Sequence, residues 1–242
     1  MEDKDIFLKA IEAYQLDTRP FELRFLNDFK GIYSGYFNDI DIAYDVVGRY
    51  WKDKTCYFTL QEINSSIVAL SENRMGISRS VTSDKDIVNY RFVHVDIDPV
   101  RPSGIQASEE EVGNAYKRAR EIRNFLQSTA DFPKPLLVFS GNGTTLDYKL
   151  DRPISVSKTN IGLVKDFLET LSILFSDDKA DVDTTVYNPS RIIKLPGTIS
   201  AKGSDTDERP HRYSEILDVG DDIGISISQL KEIAMIRKEV GL

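Results

Sequence analysis

With 242 residues, 40% hydrophobic and 29% charged, the chain can bury a sizeable core, as one domain or two small ones, and has an ordinary globular composition. No apolar run nears the roughly 20 residues of a membrane span, the first residues are acidic rather than basic-then-apolar, and the lone Cys56 excludes an internal disulfide or a cysteine zinc cage. A cytoplasmic protein is expected; the net charge of -8 argues against one that coats nucleic acid over its whole surface, but not against one with a local basic groove.

The pattern at 4–16 places Ile6, Phe7, Ala10, Ile11 and Tyr14 on one helical face. Short β-prone runs follow Pro20, at 21–26 and 32–37. In the second, Tyr33, Tyr36 and Phe37 have the chemistry to stack on bases, but packing against the first helix is the expectation. A second helical pattern covers 40–51, with Ala43, Val47 and Tyr50 or Trp51 inward, and 55–60 reads as a strand. Residues 62–90 are polar and are expected to form a short helix and a loop.

In the run 92–99, Val93, Val95 and Ile97 alternate with polar residues, the period of a half-buried strand, and Pro99 ends the ladder. Arg101-Pro102-Ser103-Gly104 makes a turn. Ser108 and Glu111 form a capping box that opens a helix with Val112, Ala115, Ala119, Ile122 and Phe125 inward. An apolar strand at 135–139 ends in Ser140-Gly141-Asn142-Gly143, and the alternating run 144–150 pairs back as a hairpin. A helix at 159–175 carries Ile161, Val164, Phe167, Leu168, Leu171 and Leu174. Strands are expected at 184–186, 192–195 and 212–217, then a helix from about 228. Interleaved helices and hairpin-like pairs indicate an α+β fold with a mixed sheet. No repeat, low-complexity tract or linker divides it, so 1–242 reads as a single domain.

Four segments carry chemistry. Asp96 and Asp98 occupy positions i and i+2 of a strand, so both carboxylates project from one face. Such a pair repels unless a cation or proton intervenes, and oxygen donors suit Mg²⁺ or Mn²⁺; the plainer alternative is a solvated strand end. His94 shares that face, as hydrogen-bonded scaffold or pointing toward the metals. Ser140-Gly141-Asn142-Gly143 lets backbone approach a ligand and can cradle phosphate, or is simply a hairpin turn. Asp183, opening a β-prone run, becomes a third carboxylate only together with Asp96 and Asp98. Arg191, Lys194, Lys202, Arg209, His211 and Arg212 concentrate cations in an acidic chain, suited to phosphate unless Asp205, Asp207 and Glu208 balance them on a surface loop.

In this order the segments resemble the archaeo-eukaryotic primase superfamily, specifically its primase-polymerase branch of phage, plasmid and CRISPR-associated type, from about Asn73 to Ser214. Val95–Gly104 looks like the first motif of that branch, Ser140–Gly143 like the second, and Asp183–Thr198 with the Lys202 and Arg209–Arg212 extension like the third. The resemblance implies a catalytic core with an RRM-like sheet plus an N-terminal α/β module. It implies DNA primase or DNA polymerase activity, a nucleotidyl transfer from NTP or dNTP that makes or extends primers on a single-stranded DNA template. Asp96, Asp98 and Asp183 would then hold two divalent cations, Mg²⁺ or Mn²⁺, typically about 3.5–4 Å apart. Ser140, Gly141, Asn142 and Gly143 would line the phosphate side, Arg191 and Lys194 would meet the triphosphate, and Lys202 and Arg209 the triphosphate or template. A helicase or accessory priming domain is an expected partner. Where the family's second motif ends in a phosphate-contacting histidine this chain has Thr145, which donates one hydrogen bond but carries no charge, implying weaker nucleotide binding.

Two alternatives remain open at the sequence level. A primase-like module that binds nucleotide or nucleic acid without polymerising is favoured by Thr145. A haloacid-dehalogenase-like phosphatase fits Asp96-Ile97-Asp98-Pro99-Val100 and Ser140, with Lys165 and Asp177-Asp178 matching loosely and the Arg191–Thr198 block unexplained.

Overall fold

The computed structural model describes residues 4–26, 31–78 and 80–239. Helix α1 (Lys4–Ala13) buries Phe7, Ala10 and Ile11, the stripe its period defines. Strands β1 (Phe21–Phe25) and β2 (Ile32–Phe37) pair antiparallel. The Asp39 carboxylate accepts the Ile42 N–H and starts α2 (Ile40–Gly48), followed by β3 (Cys56–Thr59). Tyr33, Tyr36 and Phe37 pack into the protein, Phe37 in the same core as Phe7.

The stretch 62–90 contains the expected short helix, in 3-10 form, but also strands that were not expected. It forms β4 (Glu62–Ile63), a 3-10 turn (Ser65–Leu70), β5 (Gly76–Ser78) and the start of β6 (Ile87–Pro99). These polar strands exist because distant edges accept them, β4 on β6 and β5 on β2. The Ser108–Glu111 capping box forms reciprocally and opens α3 (Glu109–Ala130). Next come β7 (Leu136–Phe139), β8 (Thr144–Ser155), α4 (Lys158–Phe175) and β9 (Ala180–Val182). Leu174, expected inward, is 40% exposed at the end of α4.

The segment 184–186 is a 3-10 turn (Thr184–Tyr187) rather than a strand, because the Asp183 carboxylate caps the Thr185 N–H. Strands β10 (Ile192–Lys194), β11 (Ile199–Ser200), β12 (Arg212–Tyr213) and β13 (Glu215–Asp218) precede α5 (Ile227–Glu239). The run 212–217 is thus two strands, split at Ser214, whose hydroxyl bonds to the carbonyls of Leu195 and Thr198.

Among the described residues the strands form two large sheets, ordered β10-β3-β1-β2-β5 and β13-β7-β8-β6-β4, with β9 added to β6 beyond β4, and a separate two-stranded sheet, β11-β12. The architecture is α+β, but the sheets are not mixed: every ladder between named strands is antiparallel among the described residues. The crossovers through α3 and α4 skip a strand, so the parallel strands they connect are never neighbours. Alternation divides the second sheet between two cores. Val93, Val95, Ile97, Leu146, Tyr148 and Leu150 pack with α3, α4 and α5, while Phe92, Leu136 and Val138 pack with α1 and the first sheet.

Candidate functional site

Because Val95 and Ile97 face the helices, His94, Asp96 and Asp98 face the other way, toward the first sheet. There they line a cleft of about 260 Å³ with Ser140, Asn142, Thr145, Arg191, Lys194, Lys202, Tyr14 and Tyr57. Eight residues predicted from the sequence for nucleotide or metal therefore share one cleft: Asp96, Asp98, Ser140, Asn142, Thr145, Arg191, Lys194 and Lys202. Gly141, Gly143, Asp183 and Arg209 are not among its lining residues.

The register explains the meeting. Asp96 pairs with Thr145 of β8 on one side, and on the other the Asp183 N–H donates to the Asp96 carbonyl at 2.9 Å. Lys194 pairs with Tyr57 across β10 and β3, which puts it on the first sheet opposite the carboxylates on the second, while Lys202 comes from the loop after β11. Burial, then the like charge of Asp98, pushes the Asp96 carboxyl up to about 7. Burial, then the neighbouring charge of Lys202, brings the Lys194 amine down to about 7. Lys194 Nζ donates to the Ser140 carbonyl and to Ser200 Oγ, both at 2.6 Å.

His94 is both scaffold and cleft wall. Its Nδ1 lies 2.5 Å from Asp147 Oδ1, and Asp147 Oδ2 accepts the hydroxyls of Tyr14 at 2.6 Å and Thr145 at 3.2 Å. Burial opposes the imidazolium, but the Asp147 charge and hydrogen bond outweigh it and raise the His94 pKa. Asp147 was not singled out from the sequence. The strand alternation held the signal, since Asp147 lies two residues beyond Thr145 on the same face. Tyr57 gave no comparable sign.

The four predicted residues outside the lining have other surroundings. A Cβ on Gly143 would lie 2.4 Å from the Ile97 carbonyl oxygen, and one on Gly141 (φ +92°) 2.4 Å from Ser200 Cβ. Both glycines let the turn press against β6 and β11. Asn142, though in the lining, also ties the turn down through Gln106, Ser200 and the Ala107 N–H. Arg209 makes a two-pronged pair with Glu111, at 2.7 and 2.9 Å, and donates to the Gln106 carbonyl. His211 bonds the Gly203 carbonyl within its own loop. Lys165 pairs with Glu169 and is not part of the cleft.

Asp96 and Asp98 fit a hard divalent cation: they are oxygen donors on one strand face, and the like charge of Asp98 still raises the Asp96 pKa although Arg101 lies 4.0 Å from Asp98 and His94 partly offsets the repulsion. The Asp183 carboxylate accepts the N–H and hydroxyl of Thr185, while its charge still raises the Asp96 pKa. Among the described residues no three histidine, cysteine or carboxylate side chains gather closely enough to cage an ion unaided. That is compatible with Mg²⁺, which commonly takes one or two carboxylates and completes its shell with water and substrate phosphates.

No protein-family model matches the sequence, and no curated protein matches it by sequence. Solved structures do resemble the fold. The archaeo-eukaryotic primase domain of the cyanophage S-2L primase-polymerase superposes with a TM-score of 0.59 at 13% identity, covering 96% of this chain and 98% of that one. The primase RepB′ superposes with a TM-score of 0.50 at 9% identity, covering 98% of this chain and 64% of that one. This chain has the archaeo-eukaryotic primase fold.

Proposed function

We propose that the chain is a template-directed nucleotidyltransferase, a DNA primase or DNA polymerase that makes or extends primers on single-stranded DNA. The observation that carries this reading is the polarity of the cleft. Asp96 and Asp98 form one wall, Lys194 with Arg191 just before it approaches from the first sheet and Lys202 from the loop after β11, the charge distribution a metal-bound nucleoside triphosphate requires. The strand and helix sequence β6-α3-β7-β8-α4-β9, with spatial order β7-β8-β6-β9, supports the RRM-like reading of the second sheet.

Asp96 and Asp98, with Asp183 beside them, would hold two divalent cations, Mg²⁺ or Mn²⁺, which when bound activate the primer 3′-hydroxyl and neutralise the triphosphate. Arg191, Lys194 and Lys202 bind and orient the triphosphate. Ser140 and Asn142 shape its phosphate side, with Gly141 and Gly143 supplying the close backbone. Thr145 gives its hydroxyl to Asp147, so it adds no charge, while His94 on the adjacent strand presents its ring to the same cleft. Arg209, held by Glu111, acts on template only if that pair opens. The partners are NTP or dNTP, a single-stranded template and primer, and a helicase or accessory priming domain.

A second reading has its own support. With Asp183 engaged by Thr185 and Thr145 by Asp147, the site also fits a weakened module that binds nucleotide or nucleic acid without polymerising. Primer synthesis and extension with NTP and dNTP on a single-stranded template, with Mn²⁺ or Mg²⁺, decides. Incorporation abolished by Asp96→Ala is expected. Binding without incorporation at high metal selects the weakened module, and phosphate release from small phosphoesters without template selects a phosphatase.

A further inference from the structure

Behind the same turn, on the helix-facing side of the sheet, lies a second cleft of about 320 Å³ between α3, the β7–β8 turn and β13. Thr144 and Thr145 are consecutive on β8 and face opposite sides, so Thr145 lines the charged cleft and Thr144 lines this one. Thr144 is 1% exposed, and among the described residues its Oγ1 has no hydrogen-bond partner. Buried hydroxyls rarely go unpaired, because the desolvation they suffer is uncompensated.

The other walls are Val112, Tyr116, Phe139 and Leu217, with the Arg212–Glu109 pair at one side. Tyr116 is 38% exposed and Leu217 is 44% exposed. Leu217 lies where the β13–β7 register shifts, between Ile216 and Asp218, and such a bulge re-aims a side chain. The Arg212 guanidinium is pinned: Nη1 donates to the Ala107 carbonyl at 2.7 Å, while Nη2 and Nε donate to Glu109 Oε1 at 2.6 and 3.2 Å. Its charge is answered by Glu109, which leaves a planar face rather than a phosphate site.

We propose that this cleft binds a nucleobase, stacked against Tyr116 and the Arg212 plane, with an edge atom paired to the Thr144 hydroxyl. An aromatic or guanidinium plane combined with one unsatisfied polar atom is how unpaired bases are read. The base belongs to a single strand that also occupies the charged cleft, one sheet thickness away. That source rests on the proposed function, whereas the base chemistry does not.

The test uses the full chain carrying Asp96→Ala, without divalent metal, so that triphosphate chemistry contributes nothing. The probes are a single-stranded oligonucleotide containing 2-aminopurine, the same length of abasic strand, and the four mononucleotides. Binding of the 2-aminopurine strand with quenched fluorescence is expected, weakened about tenfold by Tyr116→Ala and by Thr144→Val, with the abasic strand binding poorly. Thr144→Val should leave Tm unchanged or raised, since the hydroxyl it removes is unpaired, and this separates lost recognition from damage. Parental affinity in both variants, or equal binding of the abasic strand, overturns the proposal. Mononucleotides binding more tightly than the strand overturn the strand source. Primer extension that fails in the unsubstituted chain with Mn²⁺ or Mg²⁺, while base binding persists, sinks the proposed function and leaves the cleft standing.

Discussion

Asp96 is the residue at which burial and like charge act together against the ionised form. Its carboxyl is pushed up to about 7 in the native protein, while in the unfolded chain it titrates near 3.9. Between those values the native state holds a proton that the unfolded state has released. This group's stabilising contribution is therefore complete below about pH 4 and is lost as pH rises through about 7. Asp96→Asn should raise Tm by several degrees at about pH 8 in chelator, and by little at about pH 4. Thermal unfolding at the two pH values checks this; an equal gain at both would mean that Asp96 ionises normally. Added Mg²⁺ or Mn²⁺ should narrow the gap at the higher pH if Asp96 is a ligand.

At the scale of elements, the β7–β8 turn is set by its packing against β6. Gly143→Ala drives a Cβ into the Ile97 carbonyl at 2.4 Å and crowds Asp98 Oδ1 at 3.1 Å. It should cost about 1–3 kcal/mol, as overpacking does, and lower incorporation. Gly113 is the internal control, since among the described residues nothing lies within 4 Å of its would-be Cβ on α3. Gly113→Ala should instead stabilise by roughly 0.5–1 kcal/mol, which denaturant titration of both variants will show. The turn that follows helix α1 reaches the site through Tyr14, whose hydroxyl donates to Asp147. Tyr14→Phe leaves that buried carboxylate one donor short, and should cost about 1–3 kcal/mol in the same titration.

Across the whole molecule, the chain crosses between sheets more than once. Strand β10 comes from the C-terminal third yet completes the first sheet against β3, and Phe92, Leu136, Val138 and Ile216 of the second sheet share a core with α1 and β1. Neither sheet keeps its full set of neighbours without the other, so the chain should unfold as one cooperative unit. Its single tryptophan, Trp51, reports on the first sheet's side, where its carbonyl accepts the Ile199 N–H. Trp51 fluorescence and far-UV circular dichroism should give coincident urea transitions, and separated midpoints would show two independent modules.

Much of the site was legible because its signals are short-range. Alternation along 92–99 put Asp96 and Asp98 on one face, the Ser108–Glu111 spacing set a helix start, and clustered cations after Arg191 marked the opposing wall. What tertiary structure alone decided concerns partners far apart in the chain. Asp147 holding His94 and Tyr14, Glu111 taking Arg209, and Asp183 capping a turn beside Asp96 are all such cases. So is the strand character of 62–90, which comes from edges supplied by β2 and β6. Periodicity records which way a side chain points. Which group it meets there depends on the packing of elements that local sequence does not encode.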